Sequence, residues 1–129
     1  MLTIVIDTTR RSQVKTSKYM GLKIPIPNIS GPLFIMALRK SYQKPLIVEF
    51  GSTHCGACKD LMFTLEKFQF RHDVHTGFVD ISQNPDLCEM YDIDHYPTTI
   101  IFHKGRQLGY RHGNMSYDRL AKFLSTTSY

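Results

Sequence analysis

The chain has 129 residues, 42% hydrophobic and 21% charged, which is the balance of one ordinary globular domain and excludes wholesale disorder. No apolar run approaches the roughly 20 residues of a membrane-spanning helix, and three cysteines are an odd number for a disulfide-stapled secreted framework. The net charge of +5 arises in the first third: between Thr8 and Val48 stand Arg10, Arg11, Lys15, Lys18, Lys23, Arg39, Lys40 and Lys44, with no acid among them.

In chain order, Leu2–Ile6 is a short β-branched run that predicts a strand, and residues 8–18 are polar and basic, hence a loop. Ile24-Pro25-Ile26-Pro27 predicts an extended segment, which proline confines to a sheet edge or a crossing. Ser30-Gly31-Pro32 predicts a helix start, with Leu33, Phe34, Met36, Ala37 and Leu38 as its apolar face and Pro45 as the stop. Leu46–Phe50 is almost continuously apolar, the pattern of a strand buried on both faces. Gly51–His54 follows as a loop. Leu61, Met62, Leu65 and Phe68 recur at helical spacing and predict a helix from Gly56 to about Phe70, with His72 and His75 solvated at its end. Val74–Ile81 predicts a strand, and Asn84–Tyr91 a short helix that packs Cys88. Thr98–Phe102 predicts a further strand, turned by His103–Arg106 into an antiparallel partner over Gln107–Arg111. Ser116–Thr126 predicts a closing helix. The order βαβαβαββα implies an α/β fold, a mixed sheet with helices on both faces.

Cys55-Gly56-Ala57-Cys58 stands at the seam between a buried strand and a helix. Such a pair points to redox chemistry or a metal before structural cross-linking. A sulfur at a helix start lies beside unpaired backbone N–H groups and the positive end of the dipole. Both favour thiolate, so the Cys55 pKa is expected below the free value of about 8.5. Cys58 lies one turn deeper, close enough to form a disulfide. Cys55 is therefore the expected nucleophile and Cys58 the resolving thiol. Cys55, Cys58, His72 and His75 superficially approach a two-Cys, two-His zinc pattern. The intervening helix would hold the two pairs about 20 Å apart at 1.5 Å per residue, which argues against that set.

The segment Ile47–Lys59, then Val79–Pro85, Tyr91-Asp92-Ile93, Tyr96–Phe102 and Lys104-Gly105 followed by Gly113, resembles the thioredoxin family in order and spacing from about Leu46 to Leu124. The resemblance implies a thioredoxin-like fold in one domain spanning 1–129. Residues 1–31 would supply an N-terminal strand and a basic extended segment, and 32–129 the core. It further implies that Pro97 is cis and faces the disulfide, and that Tyr96 offers a backbone edge where a substrate peptide pairs as an added strand. Gly113 would leave that peptide room. Glu49 would be the buried acid that takes the Cys58 proton. His54, Gly56 and Ala57 would complete the substrate-contacting surface. Three positions depart from the family pattern: His54 replaces the usual Trp, Ala57 the usual Pro, and Phe78 falls near the place of a Lys. A His54 imidazolium would favour the Cys55 thiolate, predicting a reduction potential less negative than that of a typical thioredoxin.

The expected function is thiol–disulfide exchange with protein disulfides and dithiols, needing no organic cofactor or metal and served by a recycling reductase. The alternative is a binding module whose basic first third docks an acidic partner, with the dithiol incidental. Nucleic-acid binding is not expected, because no aromatic residues interleave with the basic ones over 8–18. Asp7, Arg10 and Arg11 follow Leu2–Ile6, the reverse of a secretory signal's charge order. A cytoplasmic location is expected, with import into an organelle as the alternative.

Overall fold

A computed structural model of the protein describes residues 24–127. The expected strand Leu2–Ile6 and the basic residues Arg10, Arg11, Lys15 and Lys18 lie outside them. Among the described residues, four helices, α1 (Pro32–Lys40), α2 (Gly56–Arg71), α3 (Pro85–Met90) and α4 (Tyr117–Thr126), and four strands, β1 (Leu46–Gly51), β2 (His75–Asp80), β3 (Thr98–His103) and β4 (Arg106–His112), follow in the order α1-β1-α2-β2-α3-β3-β4-α4. The strands form one sheet in the order β2-β1-β3-β4. The β1–β2 pair is parallel, whereas β1–β3 and β3–β4 are antiparallel. Asn28 adds an isolated parallel bridge to Phe78 at the β2 edge, where the proline-interrupted segment was expected to run.

Every residue of β1 is buried, as its unbroken apolar run requires of a central strand. Side chains alternate across it. Leu46, Val48 and Phe50 enter the core shared with Phe34 and Ala37 of α1, while Ile47 enters the core shared with Leu61, Leu65 and Phe68 of α2 and Leu120 and Phe123 of α4. Glu49 has the parity of Ile47, so its carboxyl is directed to the α2 side. Helix starts follow local chemistry: Pro32 and Pro85 occupy first-turn positions, and the Ser116 hydroxyl accepts the Arg119 N–H. The β3–β4 turn needs two left-handed residues, Lys104 (φ 55°) and Gly105 (φ 75°), as a two-residue hairpin of this twist does.

Three expectations are corrected. The apolar face predicted for α1 is only half used: Phe34 and Ala37 are buried, but Leu33 and Met36 are about half exposed, because α1 meets the sheet along one narrow stripe. His72 is only partly solvated. Its ring stacks on Phe68 at 3.7 Å between centroids and contacts the Tyr117 hydroxyl at 3.1 Å. His75 is the first residue of β2 and half-buried. Gly51, expected in a loop, is the last residue of β1.

Candidate dithiol site

Helix α2 begins immediately after Cys55, which acts as its N-cap: the Cys55 Sγ accepts the Cys58 backbone N–H at 3.2 Å. Cysteine thus occupies the place that Ser or Asp usually takes at a helix start. The Cys58 thiol and the N–H groups of Cys58 and Ala57 hold the Cys55 pKa below its ordinary value, against the opposing charge of Asp60. Cys58 faces the core and is 1% exposed. Burial, then the interaction with Cys55, pushes its thiol up to about 12, although the Ser52 N–H points to its sulfur at 3.5 Å. One thiol is half-exposed and acidified; its neighbour is buried and holds its proton.

Glu49 is fully buried, and neither carboxyl oxygen has a hydrogen-bond partner among the described residues. Burial, with a smaller contribution from the Cys55 charge, pushes its pKa up to about 8. A Cβ on Gly51 would stand 3.0 Å from both the Cys58 Sγ and the Glu49 Oε2. The absent side chain is what lets the acid and the buried thiol share one pocket. Gly51 was missed in the sequence; its one signal was a glycine two residues beyond an acid, on the same face of a buried strand.

The other expected residues gather at the same end of the sheet. Phe50 pairs with Thr98 and Thr98 with His112, so the loop after β1, the Tyr96–Pro97 segment and Gly113 are neighbours. The Tyr96–Pro97 bond is cis, Pro97 is buried, and Tyr96 is 56% exposed. Gly113 (φ 84°) donates its N–H to the Pro97 carbonyl at 2.7 Å, and a Cβ there would meet nothing within 4 Å. The left-handed backbone, rather than crowding, is what favours glycine at that position. His54, Gly56 and Ala57 are exposed. The His54 Nδ1 lies 3.3 Å from the Thr53 hydroxyl, and the His54 backbone N–H donates to Ser52 Oγ. Phe78 joins Ser52, Thr53, Cys58, Lys59 and Met62 around an apolar cleft of about 250 Å³. Cys88 is half-buried on α3, and burial raises its thiol pKa.

A mixed sheet with a helix-capping cysteine, backed by a second, buried cysteine and a buried acid, defines the class of dithiol–disulfide exchange proteins built on the thioredoxin fold. The comparisons with known proteins take this one step further. The Thioredoxin family model matches residues 29–126, and the chain belongs to the thioredoxin family, whose members are thiol–disulfide oxidoreductases. It is 31% identical over 103 residues to the bifunctional thioredoxin reductase/thioredoxin of Mycobacterium leprae, covering 78% of this chain and 22% of that protein. It is 36% identical over 74 residues to a probable protein disulfide-isomerase of Medicago sativa, covering 54% and 20%. The chain therefore spans about a fifth of the length of these curated relatives. Among solved structures, chloroplastic thioredoxin z superposes with a TM-score of 0.69 at 29% identity, covering 79% of this chain and 93% of that one. A mutant thioredoxin from Halobacterium salinarum gives 0.72 at 21% identity, covering 81% and 92%, a likeness of fold.

Proposed function

We propose that this chain exchanges two electrons with protein disulfides through Cys55 and Cys58. The Cys55 thiolate attacks a substrate disulfide, one S–S bond breaks as another forms, and a substrate thiolate leaves. Cys58 then gives its proton to Glu49 in its ionised form, the minor form at neutral pH for a pKa of about 8, and attacks the Cys55 Sγ. The Cys55–Cys58 disulfide closes and the second substrate thiolate is released. Two electrons pass from dithiol to substrate, and a reductase returns them; the fused reductase in the Mycobacterium leprae relative is consistent with such a partner. The observation that carries this reading is the asymmetry of the two thiols, one acidified at the helix cap and one buried beside Glu49. Tyr96, Pro97, Gly113, His54, Gly56 and Ala57 form the rim on which the substrate segment docks, Tyr96 offering its backbone edge.

The test uses two variants and a disulfide-containing protein substrate. Cys55→Ser is expected to abolish exchange. Cys58→Ser is expected to accumulate a mixed disulfide at Cys55, visible by mass spectrometry of the acid-trapped chain. Exchange that survives Cys55→Ser would overturn the assignment. The potential of the couple separates the two directions: a value near about −270 mV marks a reducing donor and one near about −180 mV an oxidant or isomerase.

A further inference from the structure

Outside the dithiol, three metal-ligating side chains meet on the rim. Asp94, His95 and His112 each offer one ligand atom, all within 4.8 Å of one another, and all three side chains are exposed. They come from different parts of the chain. Asp94 and His95 precede the Tyr96–Pro97 bond, and His112 ends β4. The antiparallel pairing of Thr98 with His112 brings them together.

The hydrogen bonds around this group favour one tautomer of His112. The Thr98 hydroxyl has one proton, and it donates that proton to the His95 carbonyl at 2.7 Å. With that proton so placed, the contact with the His112 Nδ1 at 3.2 Å is one the hydroxyl accepts from an Nδ1–H, the tautomer that satisfies both hydrogen bonds. That leaves the His112 Nε2 with a free lone pair, the form a metal takes, and Thr98 holds the ring in orientation as an outer-shell partner does. His95 Nδ1 stands 2.7 Å from Asp94 Oδ1, and the His95 and His112 ring centroids are 4.8 Å apart. Ligands around a tetrahedral zinc with bonds of about 2.0 Å lie roughly 3.3 Å from one another. Small rotations of exposed side chains close the difference.

We infer that Asp94, His95 and His112 form a Zn²⁺ site on the rim of the candidate dithiol site. Two imidazoles and a carboxylate suit zinc and the other late first-row divalent ions, whereas magnesium and calcium take oxygen ligands; zinc is the redox-inert member of that group. Zinc replaces the proton between His95 Nδ1 and Asp94 Oδ1, and that proton moves through solvent to His95 Nε2. Three protein ligands leave a fourth position for water or an anionic group of a docked partner. The site is separate from the exchange chemistry, which requires no metal.

The test is a Zn²⁺ titration of the full chain carrying the Cys55–Cys58 disulfide, so that the two thiolates cannot bind the metal. One Zn²⁺ per chain at micromolar free zinc is expected. His112→Ala and His95→Ala should each weaken it by about 10- to 100-fold. His103→Ala, at the opposite end of β3, should leave it unchanged. No binding by the oxidised chain, or equal binding by His112→Ala and His95→Ala, would overturn the site. A histidine ¹⁵N spectrum of the metal-free chain adds a check that needs no variant: His112 protonated on Nε2 instead of Nδ1 would also overturn it. None of these readings depends on whether the dithiol exchanges with protein substrates.

Discussion

Glu49 carries the sharpest consequence at the scale of a single residue. Its folded pKa of about 8 lies above its ordinary 4.5, the reverse of an ion-paired carboxylate. Between those values the folded chain keeps a proton that the unfolded chain has lost. The contribution of Glu49 to stability is therefore fully present below about 4.5, is lost as pH rises toward about 8, and is absent above. The total fall is on the order of a few kcal/mol. Urea unfolding of the wild type near pH 5 and near pH 7.5, below the range where the thiols of the unfolded chain titrate, should show most of this loss, and Glu49→Gln should show much less. Equal pH dependence in both chains would mean that Glu49 is not buried as an acid. The buried strand was legible in Leu46–Phe50, and the family resemblance implied a buried acid at Glu49, but how far burial raises its pKa was not. A carboxyl's pKa depends on what packs around it, and here α2 does that packing.

At the scale of the element, the seam between β1 and α2 decides reactivity. The strand's C-terminal residue has no side chain, so Cys58 and Glu49 close over it. Gly51→Ala would bring a Cβ to 3.0 Å from the Cys58 Sγ and the Glu49 Oε2, and to 3.2 Å from the Cys58 Cβ. Overpacking of this kind costs about 1–3 kcal/mol. The expected outcome is a lowered urea midpoint and faster alkylation of Cys58, as α2 shifts outward to relieve the contact. An unchanged midpoint with Cys58 still protected would show that the pocket yields without cost. Strand and helix positions were readable here because alternation and 3.6-residue spacing are local signals. The strand's final residue was not, since whether Gly51 continues β1 is settled by its pairing with Asp80 of β2.

At the scale of the whole molecule, Ser41 joins parts of the chain far apart in sequence. It is fully buried, donates its hydroxyl to the Leu38 carbonyl, and accepts the Gly105 N–H at 2.8 Å. Its own carbonyl accepts the Lys104 N–H at 2.9 Å. The end of α1 is thereby fastened to the β3–β4 turn. Ser41→Ala would strand a Gly105 donor and should lower stability by about 1–2 kcal/mol in urea unfolding. Hydrogen exchange should quicken at Gly105, which lost its acceptor, more than at the β1 amides. Exchange that quickens evenly everywhere would mean that the serine serves general packing instead.

The sequence by itself determined the element order, the α/β class, the family resemblance and the two cysteines at a strand–helix seam. Each of these is written in residue type and short-range spacing. Only the tertiary structure decided that His72 stacks on Phe68, that half of the α1 apolar face stays in water, and that Asp94 and His95 meet His112. It also decided how strongly burial raises the Cys58 thiol beside the acidified Cys55 that the helix start predicts. These outcomes depend on which strand lies beside which and on how much water the packing excludes, and neither is encoded within any one stretch of chain.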